Sequence, residues 1–167
     1  MVIVLFGPPG VGKSFVGRIL KQDYGFHFYD ADEDLTDDMI SAIKNENVFT
    51  KKMRQNFFNI VIEQIQSLQK THKTLIVAQA LIKEINRDQL LTVLPHIQFV
   101  EIKANLNKVN TRLKIRDNWV SIDFAKKIWD IYEAPKHYEG SYHFLDNNQN
   151  ALHVKQQLDK LLELIRS

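Results

Sequence analysis

Cysteine is missing from all 167 residues, which excludes a disulfide scaffold, a thiolate zinc site and a cysteine nucleophile. Glycine and proline are sparse, at six and four residues, and no low-complexity tract, linker or internal repeat interrupts the chain. Charge of one sign is also lacking. With 22 Lys and Arg against 20 Asp and Glu the net charge is +2, too weak a bias to point to nucleic acid or an anionic membrane. The opening Met-Val-Ile-Val-Leu-Phe has no basic leader and meets Gly7-Pro8-Pro9 after a few apolar residues, so it reads as a buried strand rather than a signal peptide or membrane span. What is present is an ordinary globular composition, 44% hydrophobic and 25% charged, in a chain long enough to bury a sizeable core. These features predict one domain over residues 1–167, in keeping with a reducing cytoplasm, with no membrane or nucleic-acid partner and either a monomeric or a homodimeric state.

Hydrophobic periodicity alternates between two patterns. Residues 2–6 form a continuous apolar run, the mark of a strand covered on both faces. Phe15, Val16, Ile19 and Leu20 then share one helical face, and Tyr24-Gly25 supplies a stop. A short second strand is predicted over 26–29, a helix from Asp32 to about 45, and a longer one over roughly 50–69. Residues 74–78 and 97–102 repeat the buried-strand pattern, separated by a helix near 83–91 that Pro95 closes. Further helices are predicted over about 105–116 and 122–133, a last strand over 142–145, and a closing amphipathic helix carrying Leu152, Leu158, Leu161, Leu162 and Ile165. Strands alternating with helices at this spacing predict an α/β, three-layer fold with a five-stranded, mainly parallel sheet and helices on both faces.

Gly7-Pro8-Pro9-Gly10-Val11-Gly12-Lys13-Ser14 matches G-x-x-x-x-G-K-[ST] at every fixed position, between a predicted strand and a predicted helix. Glycines at this spacing let successive backbone N–H groups turn around a phosphate, and the following helix adds the partial positive charge of its N-terminus. Lys13 would reach the β and γ phosphates, and Ser14 would offer a hydroxyl to Mg²⁺, which prefers oxygen ligands. Phe15 follows directly on the loop. Gly17 lies in the interior of the helix, where glycine costs about 0.5–1 kcal/mol relative to Ala; close packing of helix on sheet would offset that cost.

Asp30 and Asp32 follow the second predicted strand and should sit at its carboxyl end beside the phosphate loop. Phosphoryl transfer needs a carboxylate near Mg²⁺ and another that orients the attacking hydroxyl or accepts its proton. Two Asp spaced by one residue can divide those tasks. The alternative is structural: Asp32 caps the next helix and Asp30 is a solvated turn residue. The strand over 74–78 ends without an acidic residue, so the acid has to come from elsewhere.

Taken together, Gly7 to Ser14, Val16-Gly17-Arg18 to Leu20, and Gly25-Phe26 through Asp30-Ala31-Asp32 closely resemble the opening third of the small P-loop kinases that include shikimate kinase and gluconate kinase. The resemblance implies that Asp30 helps hold Mg²⁺ and that Asp32 contacts the acceptor hydroxyl as base. Val77-Ala78, Lys83, Arg87-Asp88 and Leu90 are similar to the gluconate kinase segment after strand three. Arg112-Leu113-Lys114 with Arg116 resembles the start of its lid, and Glu133-Ala134-Pro135 the segment that closes it, which implies a small lid over about 113–135 and acceptor-binding helices over about 32–70. Two departures concern the acceptor. Gln79-Ala80-Leu81 stands where shikimate kinase has a glycine triplet and gluconate kinase a Cys-Ser pair, and Asn118-Trp119 stands where gluconate kinase has Gly-His.

Arg112 and Arg116 are four apart and share a helix face, either to neutralise the transferring phosphoryl group or to meet solvent. Arg54 would reach the acceptor by resemblance, or belongs to a surface cluster with Lys51 and Lys52. Lys83 and Arg87 could hold an acidic acceptor or face water, and Gln79 is a further candidate for acceptor binding. Asp146-Asn147-Asn148 could form a loop near the adenine or a plain turn. Trp119 and Trp129 in the lid region either pack or stack on a ligand, the stripe from Met53 to Phe57 reads as helix core, and the histidines lack zinc-site spacing. The expected activity is transfer of a phosphoryl group from ATP, with Mg²⁺, to a hydroxyl of a small polar acceptor such as a sugar acid. A nucleoside or nucleotide kinase of the same architecture and a non-catalytic nucleotide-binding regulator are the alternatives.

Overall fold

The computed structural model describes residues 1–115 and 120–166. At its centre lies β1 (Val2–Phe6), all five residues of which are buried. A strand covered on both faces needs partners at both edges and helices above and below. β3 (Leu75–Ala78) pairs with one edge and β4 (Ile97–Lys103) with the other, while β2 (His27–Asp30) and β5 (Tyr142–Asp146) complete the sheet in the order β2-β3-β1-β4-β5. Every pairing is parallel, so the mainly parallel sheet anticipated from sequence is parallel throughout the described residues.

The alternation of a strand divides the core into two layers. Val2, Val4 and Phe6 of β1 meet Phe57, Val61 and Ile65 of α3 (Lys51–Gln69) and Leu90 of α4 (Glu84–Val93). Ile3 and Leu5 face the other way, towards Val16 and Leu20 of α1 (Lys13–Tyr24) and Val154 and Leu158 of α7 (Ala151–Arg166). Each such side chain stabilises the fold by about 1.5–3 kcal/mol relative to exposure. Gly17 has its reason here, since a Cβ on it would lie 2.2 Å from the Phe28 ring, and α1 approaches β2 closely because that atom is missing. No helix among the described residues is long and apolar enough to cross a membrane.

One predicted element is divided. The helix anticipated from Asp32 to about 45 is a 3-10 turn (Ala31–Asp34) followed by extended Leu35 and Thr36 and then α2 (Asp37–Lys44). The backbone N–H of Asp32 donates to the Asp30 carboxylate at 3.3 Å, and the Tyr29 hydroxyl donates to Asp34 at 2.6 Å. These local bonds compete with helical ones and tie the turn to the strand end. Of the stretch 113–135 expected to form a lid, the described residues hold the last turn of α5 (Leu106–Ile115) and α6 (Ile122–Asp130), and α6 buries Phe124, Ala125 and Ile128. Ser121 caps α6 and donates to Glu46 at 2.7 Å, and Lys127 donates to the Glu46 carbonyl at 2.7 Å.

At the opposite end of the sheet His27 stacks on His72, ring centroids 3.8 Å apart. Burial foremost, then the charges of His72 and Lys21, hold the His27 imidazole below its ordinary pKa. The folded protein therefore binds this proton less readily than the unfolded chain, and the associated stability is present above the ordinary value of 6.5 and lost as pH falls through it. Thermal melts should show Tm declining between about pH 7.5 and about pH 5.5, with a shallower decline in His27→Gln; equal slopes would assign the effect to other groups. Gly17→Val should cost about 1–3 kcal/mol by overpacking against Phe28, read as a lower urea midpoint at unchanged slope.

Candidate active site

Strand register brings the candidate residues together. Leu5 and Asp30 are both paired with Ala78, so β1, β2 and β3 end at nearly one level. The phosphate loop, Asp30-Ala31-Asp32 and Gln79 all leave from that edge, where open α/β sheets bind ligands. Residues of all three, with Asp30, Asp32 and Gln79 among them, border one cleft of about 950 Å³, which Gly7, Pro8, Val11 and Ala31 do not line.

The loop is held from several sides. Arg112 of α5 donates to the carbonyls of Gly10 (3.4 Å), Val11 (3.0 Å) and Asn147 (2.8 Å), Asn147 Nδ2 donates to Val11 (2.8 Å), and Trp129 Nε1 donates to Pro9 (3.1 Å). In a trans peptide the carbonyl and the next N–H point in opposite directions, so engaging these carbonyls turns the amides of Gly10, Val11 and Gly12 the other way. Gly12 sits at φ 99°, and a Cβ on it would lie 2.2 Å from Asn147 Nδ2. Gly7, at φ 136°, donates its N–H to Ala80 O at 3.2 Å. Lys13 Nζ donates to the carbonyls of Gly7 (3.0 Å) and Pro8 (3.3 Å). Pro9, Gly10, Gly12, Lys13, Ser14, Phe15 and Arg112 border the cleft; Val11, 1% exposed, packs into the core behind it. Burial lowers the pKa of the Arg112 guanidinium.

Ser14 Oγ donates to Asp30 Oδ2 at 2.5 Å. A hydroxyl and a carboxylate oxygen this close form a hard-oxygen pair suited to Mg²⁺, whose remaining positions are normally filled by water and phosphate. Asp30 also caps the 3-10 turn, so the cap that sequence alone could place at Asp32 belongs to its neighbour. Asp32 is exposed and lines the cleft.

Arg54 lines the other half of the cleft, where its guanidinium donates to the Phe49 carbonyl. Gln79 lines it too, only 8% exposed, and its amide oxygen has no hydrogen-bond partner among the described residues. Lys83 is not brought there: it lies outside the cleft lining and pairs with Glu133 at 2.9 Å. Arg87 neither faces water nor meets an acceptor. It is fully buried, donates to Leu81 O (2.8 Å) and Glu133 O (2.7 Å), and lies 5.2 Å from the Phe6 ring centre. Arg116 and Trp119 lie outside the described residues. Phe57 and Phe58 are core residues that also form a wall of the cleft, with Phe49, Met39 and Phe124. Periodicity found the buried face of α3, but which buried residues border a cavity depends on what lies opposite.

A parallel sheet with a phosphate loop after its first strand, and acidic residues after the next, is the architecture of a P-loop kinase. The family model for shikimate kinase matches residues 9–166, and the chain belongs to that family. A curated shikimate kinase from Marinomonas sp. (strain MWYL1) is 35% identical over 65 residues, and that match spans 36% of its length and 35% of this chain. Among solved structures, a gluconokinase from Sinorhizobium meliloti 1021 superposes with TM-score 0.83 at 22% identity, covering 99% of this chain and 93% of that one. A sugar kinase from Janibacter sp. HTCC2649 gives 0.82 at 18%, covering 96% and 93%. A shikimate kinase from Acinetobacter baumannii in complex with shikimate gives 0.60 at 20%, covering 98% and 92%. At these identities the structural likeness establishes the fold.

Gly12→Ala should cost about 1–3 kcal/mol, since it forces a side chain into a left-handed conformation and against Asn147. It should also disturb the loop amides, which would lower affinity for any phosphate-bearing nucleotide the loop holds by at least about tenfold. A melt and a nucleotide-displacement titration check both; unchanged nucleotide affinity would show that the loop accommodates the methyl group.

Proposed function

We propose that the protein transfers the γ-phosphoryl group of ATP to a hydroxyl of a small hydroxy acid, with the sugar acids as reference acceptors. The observation that carries this reading is the convergence of Lys13, the 2.5 Å Ser14–Asp30 pair and Asp32 on one cleft. Loop amides and Lys13 bind the phosphates at the N-terminus of α1, where the helix dipole favours negative charge. Ser14 and Asp30 would hold Mg²⁺, which supplies Lewis-acid neutralisation of phosphate charge when bound. Asp32 orients the acceptor hydroxyl. In the transfer the acceptor oxygen bonds to the γ-phosphorus, the bond from that phosphorus to the oxygen of the departing ADP breaks, and the hydroxyl proton passes to Asp32. Arg112, beside the loop, and Arg116 balance the charge on the transferring group, while Arg54 and Gln79 bind the acceptor. Lys83 contributes through Glu133, as a tether for the segment after α6.

ADP formation measured with Mg²⁺ against a panel of hydroxy acids, polyols and nucleosides tests the reading. Lys13→Ala should lower acceptor-dependent turnover by about a hundredfold or more with the fold intact, and near-normal activity would rule the mechanism out. Asp32→Asn should lower kcat by about 10²–10⁴-fold with little change in the KM for ATP. An equal loss of ATP affinity would assign Asp32 to the metal instead.

A further inference from the structure

Residue 46 carries a side chain at a place where the backbone favours none. α2 ends in the bond pattern of a Schellman motif: Glu46 N donates to Ile43 O at 3.0 Å and Asn47 N to Ala42 O at 2.8 Å. That puts Glu46 where glycine usually stands. Its φ of 56° lies in the left-handed region, which a Cβ disfavours. A residue persists in such a conformation where its surroundings hold it, and here α6 does so. The Glu46 carboxylate accepts from Ser121 Oγ and the Glu46 carbonyl from Lys127 Nζ, both at 2.7 Å.

Ser121 is also the cap of α6, accepting from Phe124 N at 3.0 Å. A hydroxyl has a single hydrogen to donate, so the Glu46 carboxylate fixes its direction and brings negative charge to the positive end of the helix dipole. Towards the other end of α6, Trp129 Nε1 donates to Pro9 O at 3.1 Å, with about 12 Å of helix between Ser121 and Trp129. Between them Phe124 and Ile128 pack with Ile43 and Ile82 in a small core of their own. Apolar contact has no direction. It keeps α6 close but leaves its rotation, and its shift along the axis, to the directional bonds near its two ends. The Pro9 carbonyl shares a peptide unit with the Gly10 N–H, an amide of the phosphate loop. Contacts therefore run from Glu46 along one short helix to that amide.

We propose that Glu46 is a positioning residue for the phosphate loop. By fixing the N-terminal end of α6 it holds Trp129 on Pro9, and so keeps the Gly10 amide turned towards a phosphate. This role rests on the reading of that loop as a nucleotide site. Glu46 itself does not line the cleft; it acts on a bound phosphate only through α6.

The test uses the full chain carrying Trp119→Phe, in which Trp129 is the remaining tryptophan and the emission reports on it alone. Glu46→Gly suits the left-handed backbone and removes the carboxylate. Ser121→Asp keeps a good helix cap but puts a second carboxylate in place of the donor. Each should raise acrylamide quenching of Trp129 and weaken binding of ADP with Mg²⁺, measured by calorimetry, about threefold or more, with Tm within about 4 °C of the parent chain. Since both variants break one bond, combining them should weaken ADP by no more than about twofold beyond the worse single change. Glu46→Gln keeps an acceptor oxygen and should hold ADP affinity within about twofold of the parent. Unchanged ADP affinity in the two single variants, or quenching that does not rise, would reduce Glu46 to a terminator of α2 and overturn the proposal. So would additive losses in the double variant, or a loss in Glu46→Gln as large as in Glu46→Gly. Phosphorylation is assayed in parallel with ATP. ADP binding that depends on Glu46 without turnover on any acceptor would leave this role standing and count against the kinase reading, whereas no ADP binding by the parent chain would overturn both.

Discussion

The parallel pairing of β1 with β3 and of β3 with β2 sets the height at which the chain leaves the sheet at the edge of the cleft. Because Ala78 is the partner of both Leu5 and Asp30, the phosphate loop, the acidic turn and Gln79 begin together. A slip of one residue would exchange the faces of a strand and expose what is now buried. The apolar residues of β1 therefore do two things: they hold the core together, and by fixing register they bring Ser14 within 2.5 Å of Asp30.

Buried and partly buried polar groups complete the arrangement. Asn147 and Arg112 fasten the phosphate loop through its carbonyls, and Trp129 adds a bond from α6. Arg87 ties the segment after β3 to Glu133 beyond α6. Since a buried donor needs an acceptor, these side chains are committed to single positions, and the loops they hold are committed with them. The site thus rests on bonds that arrive from α5, α6 and the end of β5 as well as on the loop itself.

Much of this was legible in the sequence. The alternation of apolar runs and amphipathic stretches located all five strands, because a buried strand and a half-buried helix differ in period. Boundaries were less secure: the helix anticipated from Asp32 divides at Leu35, where bonds from Asp30 and Tyr29 hold a 3-10 turn. At the site, the G-x-x-x-x-G-K-S spacing pointed to chemistry because loop geometry allows few other residues there, and the D-x-D pair did so through its place at a strand end beside that loop. Charge alone was a poorer guide. Lys83 and Arg87 read alike as possible acceptor ligands, yet one is paired with Glu133 outside the cleft lining and the other is interior. The aromatic residues of α3 read as core, which they are, and their second surface became visible only when α6 and α2 were in place.

By itself the sequence determined the α/β class, the phosphate loop and the two carboxylates beside it. These depend on local spacing: a period of two or of 3.6, glycines where the backbone turns, acids just past a strand end. Tertiary structure alone decided which basic residues face the cleft, that Asp30 rather than Asp32 caps the turn, that Gln79 is buried with an unpaired oxygen, and that aromatic core residues border the cleft. Those properties belong to surfaces formed between segments distant in the chain, and no short-range pattern encodes which surface a given side chain will meet.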